Sequence, residues 1–166
     1  MSDRPSTPQD TCAAWTAFIS GVRLMTRELD KGLRRDLGMG YNSYVVLAAL
    51  AEAPGHRLTM TSLAHRTQSP GERLSHAVVS LRTNGLVTVE NDSTDRRLRY
   101  AVITPAGLAT VERAAPAHTL RVQRLLLGEL DATGIESLRQ LGQIMRASSS
   151  REACAPEAAA EAARRP

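Results

Sequence analysis

Met60-Thr-Ser-Leu-Ala-His-Arg-Thr67, Gln68-Ser-Pro-Gly71 and Glu72-Arg-Leu-Ser-His-Ala-Val-Val-Ser-Leu-Arg-Thr-Asn84 follow one another without a gap. The first segment has a helical pattern, with Leu63 and Ala64 inward. Gln68 to Gly71 is a tight polar turn. The second segment is also helical, closed by Gly85. Leu74, Val78 and Leu81 stand at i, i+4 and i+7 and make one apolar stripe. Arg73, His76, Ser80 and Thr83 then fall on the other side, towards solvent or a ligand.

Immediately afterwards the period of the apolar residues changes from helical to two. Leu86-Val-Thr-Val-Glu90 and Tyr100-Ala-Val-Ile103 read as strands joined across Asn91-Asp-Ser-Thr-Asp95 and Arg96-Arg-Leu-Arg99. The result is a hairpin with a charged tip. Helix, turn, helix and hairpin, in that order over about Leu58 to Ile103, is the order of a winged helix-turn-helix. One buried stripe leaves the outer face of the second helix free to enter a DNA major groove about 12 Å wide.

Outward from this centre the chain is helical. Before it, Trp15, Phe18, Ile19, Val22, Met25, Leu29 and Leu33 recur at three- and four-residue spacing. They predict a helix from about Thr11 to Leu37, stopped at Gly38-Met-Gly40. A second helix is expected over Asn42–Ala53, capped by Asn42 or Ser43. After the hairpin, Thr104-Pro105 starts a helix reaching about Leu127, with a kink expected at Pro116. A last helix is expected over Ile135–Arg146, with Leu138, Leu141, Ile144 and Met145 inward. Residues 1–10 and 148–166 are polar or Ala-, Ser-, Glu- and Arg-rich. They are expected to be a disordered N-terminal segment and a disordered tail with fraying helix. The fold class is therefore mainly α with a small β-hairpin wing: a winged helix-turn-helix lobe at 54–104 within long helices at 11–37 and 105–147.

Composition agrees with a polyanion partner. The chain has 166 residues and a net charge of +4, and 42% of its residues are hydrophobic. With one Trp, three Tyr and one Phe, its core has to be aliphatic. Between Pro54 and Thr104, seven Arg face four carboxylates, so most of the excess charge falls in under a third of the length. Twenty of the 21 basic residues are Arg, which suits bidentate phosphate and guanine contacts, although a GC-rich genome would produce the same bias. Cys12 and Cys154 form no metal-ligand spacing, so a reducing cytoplasmic setting is expected. No signal-peptide pattern and no membrane span is read. Gly-rich phosphate loops, Gly-x-Ser-x-Gly and paired carboxylates in an apolar setting are absent from the sequence, so no enzyme and no cofactor is expected. His56, His65, His76 and His118 are spread over separate elements with no i, i+4 pair, which disfavours a zinc site.

Two stretches resemble the MarR family of regulators. One is Leu63-Ala-His-Arg-Thr-Gln-Ser-Pro-Gly-Glu-Arg-Leu-Ser-His76, continuing to Gly85-Leu-Val87; the other is Asp95-Arg-Arg97 with the following Leu-Arg-Tyr-Ala-Val-Ile-Thr-Pro-Ala-Gly107. The flanking helices extend the resemblance over about Cys12–Ala147. It implies a homodimer that binds double-stranded DNA, made by interlocking the first helix and the last two, and acting as a repressor released by a small aromatic or phenolic effector. On the second helix of the motif and the turn before it, it implies DNA contacts by Ser69, Arg73, Ser75, His76, Ser80 and Arg82. Ser75-His76 departs from the family's usual Thr-Arg or Ser-Arg, and His is a weaker cation near neutral pH. On the wing it implies that an Arg of Arg96-Arg97 enters the minor groove, braced by Asp95. Trp15, Phe18, Tyr41 and Tyr44 are the implied ligand contacts. Two other readings fit the same residues: a winged helix that binds a protein, and a redox sensor acting through Cys12.

Overall fold

The computed structural model describes residues 7–69, 71–92, 95 and 98–162, with side chains through Ser148. The chain divides into two compact units, 1–122 and 123–166.

The first unit opens with α1 (Pro8–Leu37). The helix begins three residues before Thr11, inside the segment expected to be disordered. Thr7 and Asp10 form a reciprocal capping box, and Pro8 occupies the first turn, where its missing N–H costs nothing. Gly38 ends α1 in the left-handed conformation and donates to the Arg34 carbonyl. Next, α2 (Tyr41–Ala51) starts at Gly40, and neither Asn42 nor Ser43 caps it. Its first N–H, from Tyr41, donates instead to Asp30 Oδ1 on α1 at 2.8 Å. The cap is thus a tertiary contact, and a side chain at Gly40 would crowd it: a Cβ there would lie 3.2 Å from that same oxygen.

A short turn with two successive left-handed residues, Gly55 and His56, leads into β1 (Arg57–Thr59), a strand the sequence analysis did not foresee. Thr59 accepts from Ser62 N and starts α3 (Met60–Thr67). Then come α4 (Gly71–Thr83), β2 (Val87–Asn91), β3 (Arg99–Ile103) and α5 (Pro105–Leu125). The sheet has the order β1-β3-β2, antiparallel throughout, so the expected two-stranded hairpin is completed by a third, edge strand. Thr104 caps α5 by accepting from Gly107 N and also donates to the Gly85 carbonyl, tying the end of the sheet to the end of α4. Pro116 falls inside α5.

Leu47 and Leu50 of α2, Leu63 of α3, Leu74, Val78 and Leu81 of α4, and Val87, Ala101 and Ile103 of the sheet form one aliphatic core. At about 25 cal/mol for each Å² of apolar surface removed from water, this cluster is what holds the helix-turn-helix to its sheet. A smaller cluster joins Leu33 of α1, Tyr44 of α2 and Ala114 of α5.

In the second unit Asp131 accepts from Gly134 N at the start of α6 (Ala132–Ala162). This helix starts before the expected Ile135 and continues through residues 148–162, where a disordered tail with fraying helix is expected. The Ala, Glu and Arg that make the tail low in hydrophobicity are also strong helix formers. Of the residues expected inward on α6, Leu141, Ile144 and Met145 are exposed in the single chain. Among the described residues no helix is long and apolar enough to cross a membrane.

Candidate nucleic-acid interface

The presentation of α4 follows from its ends. Gln68 takes a left-handed conformation, and Ser69 N donates back to the Ala64 carbonyl, closing α3 and turning the chain. At the far end Leu86 N reaches the Leu81 carbonyl while Gly85, at φ 70°, adopts the conformation that favours glycine. Between these stops Leu74, Ala77, Val78 and Leu81 are buried. Arg73, Ser75, His76, Ser80, Arg82 and Thr83 are all exposed, as the spacing predicts. Ser69 lies half-buried in the turn, its hydroxyl 3.4 Å from the Thr67 carbonyl.

The exposed residues fall into two sets. Arg73, His76, Ser80 and Asn84 line an open groove of about 1040 Å³ shared with α1, the start of α2, and Thr110 and Arg113 of α5. Arg23, Arg27 and Arg34 come from α1, so five arginines face one carboxylate, Asp30. Asp30 pairs with Arg34 Nε at 2.7 Å. The Tyr41 N–H and then Arg34 hold its carboxyl below the usual aspartate range. The groove therefore carries net positive charge and suits an anion. The second set, Ser75, Val79, Arg82 and Thr83, faces away from this groove. Val79 is more than half exposed, and no local sequence signal points to it.

The four candidate ligand residues separate. Tyr41 lines the groove, and burial pushes its phenol up. Tyr44 does not line it: it is buried and packs on His118 of α5, with ring centres 4.6 Å apart. Burial, and after it the Arg121 charge, hold His118 below its ordinary value. Trp15 and Phe18 are not groove residues either; they pair with each other on α1 at 6.2 Å, and Trp15 is largely exposed. A period of three to four placed these aromatics on one face of α1 but carried no information about which part of that helix borders the groove.

On the wing, Asp92 N donates to the Leu98 carbonyl and extends the ladder beyond Asn91 and Arg99. Asp95 N donates to Asp92 Oδ1. Arg96 and Arg97 lie outside the described residues. Behind the wing, the Arg57 guanidinium of β1 stacks over the Tyr100 ring at 3.9 Å, a contact that required knowing β1 pairs with β3. Cys12 is an exposed free thiol on α1, and among the described residues no cluster of three metal-ligating side chains occurs.

Helix, turn, buried-stripe helix and sheet-backed hairpin define a winged helix-turn-helix protein. Known proteins narrow this further. The model of the MarR family matches residues 37–98. The crystal structure of Sco3205, a MarR family transcriptional regulator from Streptomyces coelicolor in complex with DNA, is similar at 35% identity and a TM-score of 0.77, over 89% of this chain and 91% of that one. The transcriptional regulator HosA of Escherichia coli is 30% identical over 98 residues, 59% of this chain and 70% of HosA. The match to the HTH-type transcriptional repressor YetL of Bacillus subtilis, 23% identical over 107 residues, spans 64% of each chain. The chain belongs to the MarR family of transcriptional regulators.

Proposed function

We propose that this regulator binds duplex DNA sequence-selectively as a homodimer and represses transcription until a small anionic aromatic or phenolic effector releases it. The observation that carries the reading is the division of α4. One stripe is fully committed to the core, and the rest of the helix is exposed and bears Arg73, Ser75, His76, Ser80 and Arg82. Ser69 sits at the turn before it, and the wing's Asp95, Arg96 and Arg97 follow in sequence. In this geometry α4 enters the major groove, and Arg73, Arg82 and the wing arginines neutralise phosphate or enter the minor groove. The DNA complex of Sco3205, at 35% identity, supports it, and the repressor YetL supports the sign of regulation.

The effector reading rests on the arginine-rich groove with Tyr41 at its rim. Arg73, His76 and Ser80 border the groove and belong to α4, so an anion there competes for side chains that also serve DNA. Binding would then shift the population towards a DNA-free state.

The test is fluorescence anisotropy with the duplex upstream of the chain's own gene and a scrambled duplex, at two salt concentrations. Selective binding is expected, with affinity falling steeply as salt rises. Arg97→Ala is expected to weaken binding and to reduce the salt slope by about one. Salicylate-like compounds are expected to release the duplex. Equal, weak binding to both duplexes would overturn the reading.

A further inference from the structure

The outward row of α4 presents mostly carbon. Ser75, Val79 and Thr83 stand at i, i+4 and i+8 and so form one continuous row. The Ser75 hydroxyl donates to the Gly71 carbonyl at 2.8 Å, and the Thr83 hydroxyl to the Val79 carbonyl at 3.0 Å. Both polar atoms are thereby turned onto the helix's own backbone, and the row offers carbon: a Cβ, an isopropyl group and a methyl. At its centre Val79 is 52% exposed, while the residue before it, Val78, is 4% exposed.

A β-branched residue is a poorer helix former than Ala and gains nothing here from the core. Its place between a polar flank at Arg73 and His76 and a cation at Arg82 matches a surface that reads both base edges and methyl groups. In the major groove the one apolar group a base presents is the 5-methyl of thymine. Resting on the DNA-binding reading above, we infer that Val79 is a specificity-determining residue that packs on a thymine 5-methyl group at one position of each half-site.

The experiment starts with selection from a randomised duplex pool, using wild type and Val79→Ala. Ala has the higher helix propensity, so the variant is expected to melt no lower than wild type, which circular dichroism checks. Wild type is expected to select a thymine at one half-site position where Val79→Ala shows no preference, all other positions being shared. Replacing that thymine by deoxyuridine, which lacks the methyl, is expected to weaken wild type about fourfold, the worth of one buried methyl-sized group. The same replacement is expected to leave Val79→Ala unchanged. If both proteins select the same sequence and respond equally to deoxyuridine, Val79 reads nothing, and DNA binding itself stands. If wild type enriches no sequence, the DNA-binding reading fails and takes this inference with it.

Discussion

Asp30 joins two helices through one carboxylate. Oδ1 accepts from Tyr41 N at 2.8 Å and Oδ2 from Arg34 at 2.7 Å. Tyr41 N is the first of the orphan donors that every helix start exposes, and α2 has no cap of its own. Asp30→Ala is expected to cost about 1–2 kcal/mol, the usual worth of a lost N-cap. Asp30→Asn keeps a carbonyl oxygen for Tyr41 and is expected to cost less. The two variants separate further with pH. The carboxyl is held below its ordinary value by the Tyr41 N–H first and Arg34 second, so the folded state binds its proton more weakly than the unfolded chain does. That stabilisation is complete above the ordinary aspartate value and is lost as pH falls through the lower folded one. Thermal unfolding followed from neutral pH into acid is expected to show the gap between wild type and Asp30→Asn closing. A gap that stays constant would mean the charge at Asp30 is immaterial. Arg34, on the same carboxylate, faces the groove, so the proposed effector site and the helix cap share a residue.

At the scale of elements, the junction of β2, β3 and α5 depends on Gly107. Its position in Thr104-Pro-Ala-Gly107 follows from close approach: a Cβ there would meet the Leu86 carbonyl oxygen and lie 2.6 Å from Ile103 Cγ1. The Leu86 carbonyl is backbone and already accepts from Thr104 N, so it cannot move aside. Gly107→Ala is expected to lose about 1–3 kcal/mol, as over-packed sites do. In urea unfolding this appears as a lower midpoint with unchanged slope; an unchanged midpoint would show that the junction yields. The elements that sequence could reveal are those with local signals. The buried stripe Leu74, Val78, Leu81, the stop at Gly85 and the cap at Thr104 each depend on residues a few positions apart. β1 has no such signal: Arg57-Leu-Thr59 is too short to show a period, and it is a strand only because β3 lies beside it. The cap on α2 comes from eleven residues back, across α1. The groove was invisible for the same reason, since Arg27, Tyr41 and Arg73 meet only after three helices have packed.

At the scale of the whole molecule, several large apolar residues outside the core belong to the three long helices. Trp15 and Leu24 of α1, Leu120 of α5, and Ile144 and Met145 of α6 are each between 45% and 61% exposed in the single chain. Scattered exposed leucines need no explanation, but on α6 these are residues that periodicity assigns to a buried face. A second copy of the chain is the partner the family resemblance implies. A two-fold dimer would bury such faces against themselves and set two α4 helices at the spacing of successive major grooves. Ile144→Asp places a charge at the most exposed of the α6 positions, where it costs little in a lone chain and a great deal in an interface that excludes water. Sedimentation at micromolar concentration is expected to show a dimer for wild type and a monomer for Ile144→Asp. The melting temperature of wild type is expected to rise with protein concentration, as it must when folding and association are linked, and that of the variant to be independent of it. Affinity for a two-half-site duplex is expected to fall towards that for a single half-site, because the second contact is no longer intramolecular. A variant that sediments as a dimer and binds the full duplex unchanged would place the interface elsewhere and leave the apolar face of α6 without a partner.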